Sequence, residues 1–223
     1  MLLYTQWGYN AMDESLEIKT EIQKRYTEES NSSCNLSCGS NLDFLQIKKG
    51  DIILDLGCGR GEDTIQASLL TGPKGIAHGL DLTEAMIDKA RVHATELGTK
   101  NVIFTQGDIE ALSYEDEIFN SVMSSCVINH AKSKVQVYKE IYRVLKSGGK
   151  FVISDAVTKY PLPEEVKNDP EAWAQCYGGS ITEEEYLESI KSAGFDNIEI
   201  LKRREYLKNG YDFISLTLLA YKK

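Results

Sequence analysis

The stretch 55-DLGCGRGED-63 decides how this chain folds. It follows a short apolar run, 52-IILDL-56, and opens a helical pattern over 63–71, so its three glycines fall at a strand-to-helix turn. That context is what gives a glycine-rich motif meaning. Gly57 and Gly59 permit a tight turn and close approach of backbone to a ligand, and Gly61 lets the helix begin near the sheet. The spacing is G-x-G-x-G, not the dinucleotide G-x-G-x-x-G, and Asp55 stands just ahead of it. A phosphate gains nothing from a neighbouring carboxylate. A cationic ligand, such as a sulfonium with an α-amino group, does.

Outward from this turn the chain alternates regularly. Apolar runs recur at 76-IAHGL-80, 102-VIF-104, 118-IFNSVM-123 and 151-FVIS-154, with helical patterns at 84–97 and 134–146. Alternation of this kind predicts an α/β fold, a doubly wound and mostly parallel sheet with helices on both faces. After Ile181, TEEEYLESIKSAGF predicts a helix capped by Thr182 and stopped at Gly194. Two final strands, near 196–204 and 213–222, suit a hairpin-like pair. Before the alternation, 14–30 predicts an amphipathic helix with Leu16, Ile18, Ile22 and Tyr26 among its apolar positions. A Ser/Asn/Gly-rich loop, 31-NSSCNLSCGSN-41, follows it. The expected organisation is an N-terminal helix and cysteine-bearing loop over 1–44, then one domain over 45–223. The segment 157–181 carries three of the four prolines and Gly178–Gly179. It is expected to form an irregular cover over the carboxyl edge of the sheet.

The ends of the strands carry further polar groups. The second ends at Asp81, placed to bind ribose hydroxyls, and the third leads to Asp108, which could face an adenine amino group. Each has a plainer reading: an aspartate at a strand end is often a helix cap, and Cys58 between two glycines suits a small packed residue. Together, however, the three strand ends converge on one crevice.

Composition narrows the function classes. The chain has 223 residues, 42% hydrophobic and 26% charged, with a net charge of −9. That balance argues against nucleic-acid and anionic-membrane partners, which call for a basic footprint. No apolar run approaches the ~20 residues of a membrane span, and MLLYTQWGYN lacks the basic and apolar regions of a signal peptide. Five cysteines, an odd number without secretory context, point to the reducing cytoplasm. A monomer is expected.

The combination 55-DLGCGRG-61, 79-GLDLTEAM-86, 107-GDIE-110 and 140-EIYRVLKSGGKFVISD-155 resembles the class I S-adenosylmethionine-dependent methyltransferases. The resemblance implies a Rossmann-like, seven-stranded sheet with a reversed final strand, and S-adenosyl-L-methionine as methyl donor. It implies cofactor contacts from Asp55, Gly57, Cys58, Gly59, Gly61, Asp81, Leu82, Met86, Asp108, Ile109, Glu110 and Cys126. It also sets the end of the fourth strand, 123-MSSCVINHAKS-133, beside the transferred methyl group, and Cys126 falls there.

Thiolates are soft donors and choose soft acceptors. Trivalent arsenic takes about three of them in a pyramidal site and keeps a lone pair. No proton leaves when that lone pair accepts a methyl group, so positioning supplies most of the acceleration. The runs 125-SCVINHAKSKVQVYKEIYRVLKSGGKFVISD-155 and 161-PLPEEVKNDPEAWAQCYGGSITEEEYLESIKSAGF-195 resemble the arsenite methyltransferase family. That resemblance implies a catalytic cysteine before V-I-N, here Cys126, and another ahead of G-G and T-E-E-E, here Cys176. It draws further thiols from the N-terminal region, where Cys34 and Cys38 are the candidates, and it implies a trivalent arsenical substrate and a thiol reductant.

Other readings stay open. Any one of these cysteines taken alone is more often core filler. Four thiols could bind zinc, since C-x3-C has suitable spacing. The acceptor could be a small molecule methylated on oxygen, nitrogen or carbon, with His130 or a cover tyrosine as base. The chain could also be a non-catalytic sensor. His130 reads as a packing or helix-entry residue, and Asn129 as a support for the turn or a residue that approaches the amino-acid part of S-adenosylmethionine.

Overall fold

The computed structural model describes residues 6–31 and 41–223, with side chains from Ser15 onward. Seven strands form one sheet: β1 (Ile52–Leu56), β2 (Ile76–Asp81), β3 (Val102–Gln106), β4 (Phe119–Ser125), β5 (Leu145–Thr158), β6 (Ile198–Lys208) and β7 (Tyr211–Tyr221). Their order is β3-β2-β1-β4-β5-β7-β6. All neighbours are parallel except β7, which runs antiparallel to both β5 and β6. This is the class I methyltransferase topology, with its reversed last strand. The chain moves outward from β1 to β3, then returns to β4 on the other side of β1. The switch point between β1 and β4 is where doubly wound sheets bind ligands.

The helices are α1 (Gln6–Glu29), α2 (Leu42–Leu45), α3 (Glu62–Thr71), α4 (Glu84–Glu96), α5 (Lys134–Val144), α6 (Glu164–Lys167), α7 (Pro170–Ala174) and α8 (Glu183–Ser192). The main core lies between the sheet and α5 and α8. Its largest buried side chains include Tyr138, Phe151, Tyr186 and Phe195. The opposite face is closed by α2 and α3, with Leu42, Leu45 and Ala67 packed on Ile53, Ala77 and Val152. Thr182 caps α8 in a reciprocal capping box with Glu185.

Several boundaries differ from the sequence reading. Helix α1 reaches back to Gln6, and Leu16 is 66% exposed while Ile18 and Ile22 are buried. Residues four apart share a helix face, and Leu16 lies off the one that Ile18 and Ile22 bury. Helix α5 stops at Val144 because Leu145 already pairs with Phe119, and β5 then runs through to Thr158, into the start of the cover. The cover is more regular than its composition suggests. Asp169 accepts from the Glu171 amide and Pro170 fills the first turn, so α7 forms. Strands β6 and β7 meet at Asn209–Gly210, both with positive φ, the conformation of a two-residue hairpin turn.

Candidate active site

A cavity of about 410 Å³ opens at the carboxyl edge of the sheet, within the range for small-molecule sites. Its floor is built by the glycine turn. A Cβ on Gly57 would lie 2.2 Å from the Val127 side chain, and one on Gly61 would meet Phe104 at 2.6 Å. These two glycines are therefore required for packing. Gly59 is different: a Cβ there meets nothing within 4 Å, and Gly59 lines the cavity. It leaves free space where a ligand can approach the backbone.

The carboxylates divide in the same way. Asp81 lines the cavity and accepts from the Gly59 amide at 3.0 Å and the Thr83 amide at 2.8 Å. It thus ties the end of β2 both to the glycine turn and to Thr83, the residue that leads into α4. Asp108 also lines the cavity. One of its oxygens accepts from Lys19 Nζ at 2.6 Å and the other from the Glu110 amide at 2.9 Å. Leu82, Ile109, Glu110 and Cys126 line the cavity too. Asp55, Cys58, Gly61 and Met86 do not. Asp55 is buried beneath the turn, where it accepts from Thr64 Oγ1 at 2.6 Å, and burial pushes its pKa up to about 7. It supports the turn from below. Cys58 and Met86 are buried in the core, Cys58 against Ile87 and Phe104.

The two cysteines read as catalytic lie fifty residues apart and converge. Cys176 Sγ donates to the Cys126 carbonyl at 2.9 Å, and both residues line the cavity. Cys126 (φ 57°) and Cys176 (φ 60°) each adopt the left-handed region. Non-glycine residues rarely do so, and such strain clusters at functional sites. The surroundings hold both in place. Cys126 N donates to the Ser154 carbonyl at 2.8 Å. Asn129 Nδ2 donates to Asp155 Oδ1 at 2.9 Å and to the Ala156 carbonyl at 2.6 Å, so Asn129 does support the turn. A Cβ on Gly179 would fall 2.1 Å from the Asn129 carbonyl oxygen, so the cover is seated directly on that turn. Lys134 Nζ lies beneath, donating to the Ala131 carbonyl at 2.6 Å and sitting 5.0 Å from the Trp173 ring centre. Burial lowers Lys134 to about 8. Cys34 and Cys38 lie outside the described residues.

The wall facing the sheet was not legible in the sequence as part of the site. It is α1. Lys19 pairs with Asp108, Gln23 Nε2 donates to the Leu82 carbonyl at 3.1 Å, and Tyr26 OH lies 3.0 Å from His130 Nε2. Arg25 donates to the Ala174 carbonyl. Positions 19, 23 and 26 share one helix face. A polar line beside the apolar Ile18 and Ile22 is the signal that could have revealed it. Tyr206 and Lys208 of β6 complete the wall, and their sequence gives no comparable hint.

The chain is similar to known proteins in sequence and fold. A family model described as a methyltransferase domain matches residues 47–194. The chain is 38% identical to an arsenite methyltransferase of Halobacterium salinarum over 76% of this chain and 44% of that protein. It is 32% identical to a demethylmenaquinone methyltransferase of Lactobacillus johnsonii, over 71% of this chain and 73% of that one. Among solved structures, an arsenic(III) S-adenosylmethionine methyltransferase from Chlamydomonas reinhardtii superimposes with a TM-score of 0.73 at 29% identity, covering 88% of this chain and 73% of that chain. The chain spans about half the length of the curated arsenite methyltransferases it matches.

Proposed function

The chain belongs to the methyltransferase-domain family, and from that premise we propose that it transfers a methyl group from S-adenosylmethionine to trivalent arsenic held by Cys126 and Cys176. The observation that carries this reading is the meeting of those two sulfur-bearing residues in one cavity, the Cys176 sulfur 2.9 Å from the Cys126 carbonyl oxygen. The cavity suits the donor: Gly59 leaves its backbone open, and Asp81 and Asp108 offer carboxylate oxygens at successive strand ends, fit for ribose hydroxyls and an adenine amino group. When bound, S-adenosylmethionine supplies an electrophilic methyl group and retains the bonding pair as a thioether.

The chain's own residues hold and orient the acceptor. The thiols of Cys126 and Cys176 take two positions on arsenic, and the left-handed backbone at each residue fixes where its sulfur can lie. The third position falls to Cys34, Cys38 or an exogenous thiol. Both cysteines precede Asn41 in sequence, and its Nδ2 donates to the Ser124 carbonyl at 2.7 Å and to Ser125 Oγ at 2.9 Å, one residue from Cys126. Exogenous thiols also return methylated arsenic to the trivalent state, and a monomeric protein in the reducing cytoplasm fits that requirement. Among the described residues, no helix is long and apolar enough to cross a membrane.

The Tyr26–His130 hydrogen bond favours a second reading, an acceptor that must lose a proton. Incubation with S-adenosylmethionine, glutathione and arsenite, with the arsenic products speciated, tests the first. Methylated arsenic is expected. Its absence, with methylation of a phenol or amine instead, would establish the second.

A further inference from the structure

Resting on the arsenic reading above, we propose that Tyr26 and His130 form a proton relay that loads the substrate, carrying the thiol proton to the hydroxide that arsenic must shed. Arsenite arrives with three As–OH bonds. Each As–S bond that replaces one requires a proton to leave a cysteine and a hydroxide to depart as water. The methyl transfer itself moves no proton, so this exchange is the step at which a proton carrier in the cavity has work.

The geometry supports the assignment. Tyr26 and His130 both line the cavity with Cys126 and Cys176. The Tyr26 oxygen is 3.0 Å from His130 Nε2, and the rings stand edge to face at 5.5 Å. Each group keeps its proton state tightly. Burial raises the Tyr26 hydroxyl above its ordinary value, and among the charges acting in the same direction a Cys176 thiolate has the largest effect, ahead of Asp81 and Cys126 and against Arg25. Burial, with Arg25, Lys134 and Lys208, holds His130 down at about 4. The resting pair is therefore a phenol and a neutral imidazole, which suits the phenol donating to Nε2.

The exchange balances without any oxidation or reduction. As Cys176 releases the Cys126 carbonyl, its proton passes to the Tyr26 oxygen while the Tyr26 proton passes to Nε2. The sulfur forms its bond to arsenic and the As–O bond breaks. The departing hydroxide takes the proton back from Tyr26, as Nε2 returns its own. Water leaves, and the pair is restored. Because His130 is a weak base in this surrounding, it holds the proton only in passing.

A thiolate is a far better leaving group than hydroxide, since leaving groups of lower pKa depart faster. Arsenic supplied as its tris-glutathione complex should therefore bypass the need for a proton at departure. The test follows the near-ultraviolet absorbance of As–S bonds in stopped flow, with arsenite or with the glutathione complex, in water and in deuterium oxide. Tyr26→Phe should slow loading from arsenite by about 100-fold, the scale of general acid–base catalysis, and slow loading from the complex less than threefold. The solvent isotope effect seen with arsenite in the unsubstituted protein should be absent from the complex. His130→Gln keeps a hydrogen-bond acceptor but cannot carry the proton, and should show the same selective loss. Calorimetric S-adenosylmethionine affinity checks that both variants are folded. Wild-type loading from arsenite in either variant would overturn the relay, and so would equal slowing on both arsenic forms, which would mark the pair as a merely structural latch. If the unsubstituted protein forms no As–S absorbance and no methylated product, the arsenic reading fails and takes the relay with it.

Discussion

In the proposed reading the donor side of the cavity comes from Gly57, Gly59, Asp81 and Asp108, at or just beyond the ends of three adjacent parallel strands. The acceptor side comes from Tyr26, Cys126, Cys176 and Tyr206, on a helix, a turn after β4, the cover and the edge strand β6. On the first side, the strand ends set the geometry, and each group sits at a strand end or on a short loop just beyond it. On the second, the geometry depends on segments distant in sequence that must pack together, held by contacts such as Gly179 on Asn129 and Arg25 on Ala174. One sheet can thus keep a common donor site while the overlying segments change what is methylated.

The sharpest way to break this division is at the thiols. Cys126→Ser and Cys176→Ser should each lower arsenite methylation by about 100-fold or more, as displaced reacting groups do. S-adenosylmethionine affinity should stay nearly intact. The double variant should be little worse than either single, since residues acting as a unit are not additive. Product speciation and calorimetry read the two sides separately. Near-normal turnover in either variant would remove that cysteine from the acceptor site.

A smaller and more selective effect is expected at the N-terminal pair. Each single serine variant of Cys34 or Cys38 should lose only part of its activity. The double variant should lose most activity on arsenite and keep more on a monomethylated trivalent arsenical, whose methyl group already fills one position. Equal loss on both substrates would give the pair another role.

On the donor side, Asp81→Ala should weaken S-adenosylmethionine binding by about 1–3 kcal/mol, the cost of leaving polar partners unpaired. Part of that loss would come from freeing the Gly59 and Thr83 amides. Gly59→Val should be worse, because a β-branched residue resists φ 52° and fills the space held for the ligand. Unchanged affinity in both would displace the donor site from this crevice.

The smallest effect concerns Asp55, which supports the glycine turn without lining the cavity. Its pKa is raised by burial from the ordinary 3.8 to about 7. Folding therefore favours the protonated form. Its stabilising contribution is full below about pH 4, declines as pH rises and is gone above about 7. Asp55→Asn removes that titration while keeping an acceptor for Thr64. The stability of the variant relative to the unsubstituted protein should rise from pH 5 to 6.5, by about 1–2 kcal/mol, as read by thermal melts. Asp155, raised by burial to about 6, titrates in both proteins and cancels.

The same contrast explains what was legible in the sequence. The β1–β5 alternation, the glycine turn and Asp81 follow from local patterns, because a strand-to-helix turn and its ligand groups lie within a few residues of each other. Asp55 misled for a physical reason: its neighbour Thr64, nine residues on, draws the carboxylate beneath the turn and away from the cavity. The role of α1 was hidden because an amphipathic helix reads the same whether its polar edge faces water or a site. The left-handed backbone at Cys126 and Cys176 carries no signal in residue type, since cysteine has no preference for it. The convergence of these two cysteines was legible only through family resemblance, not through their spacing.

The most direct measurement is arsenic X-ray absorption on the Cys34→Ser/Cys38→Ser protein loaded with arsenite in the absence of other thiols. The account predicts two sulfur neighbours on arsenic, falling to one when Cys176→Ser is added. A sulfur count that is zero, or that does not change when Cys176 is replaced, would contradict it.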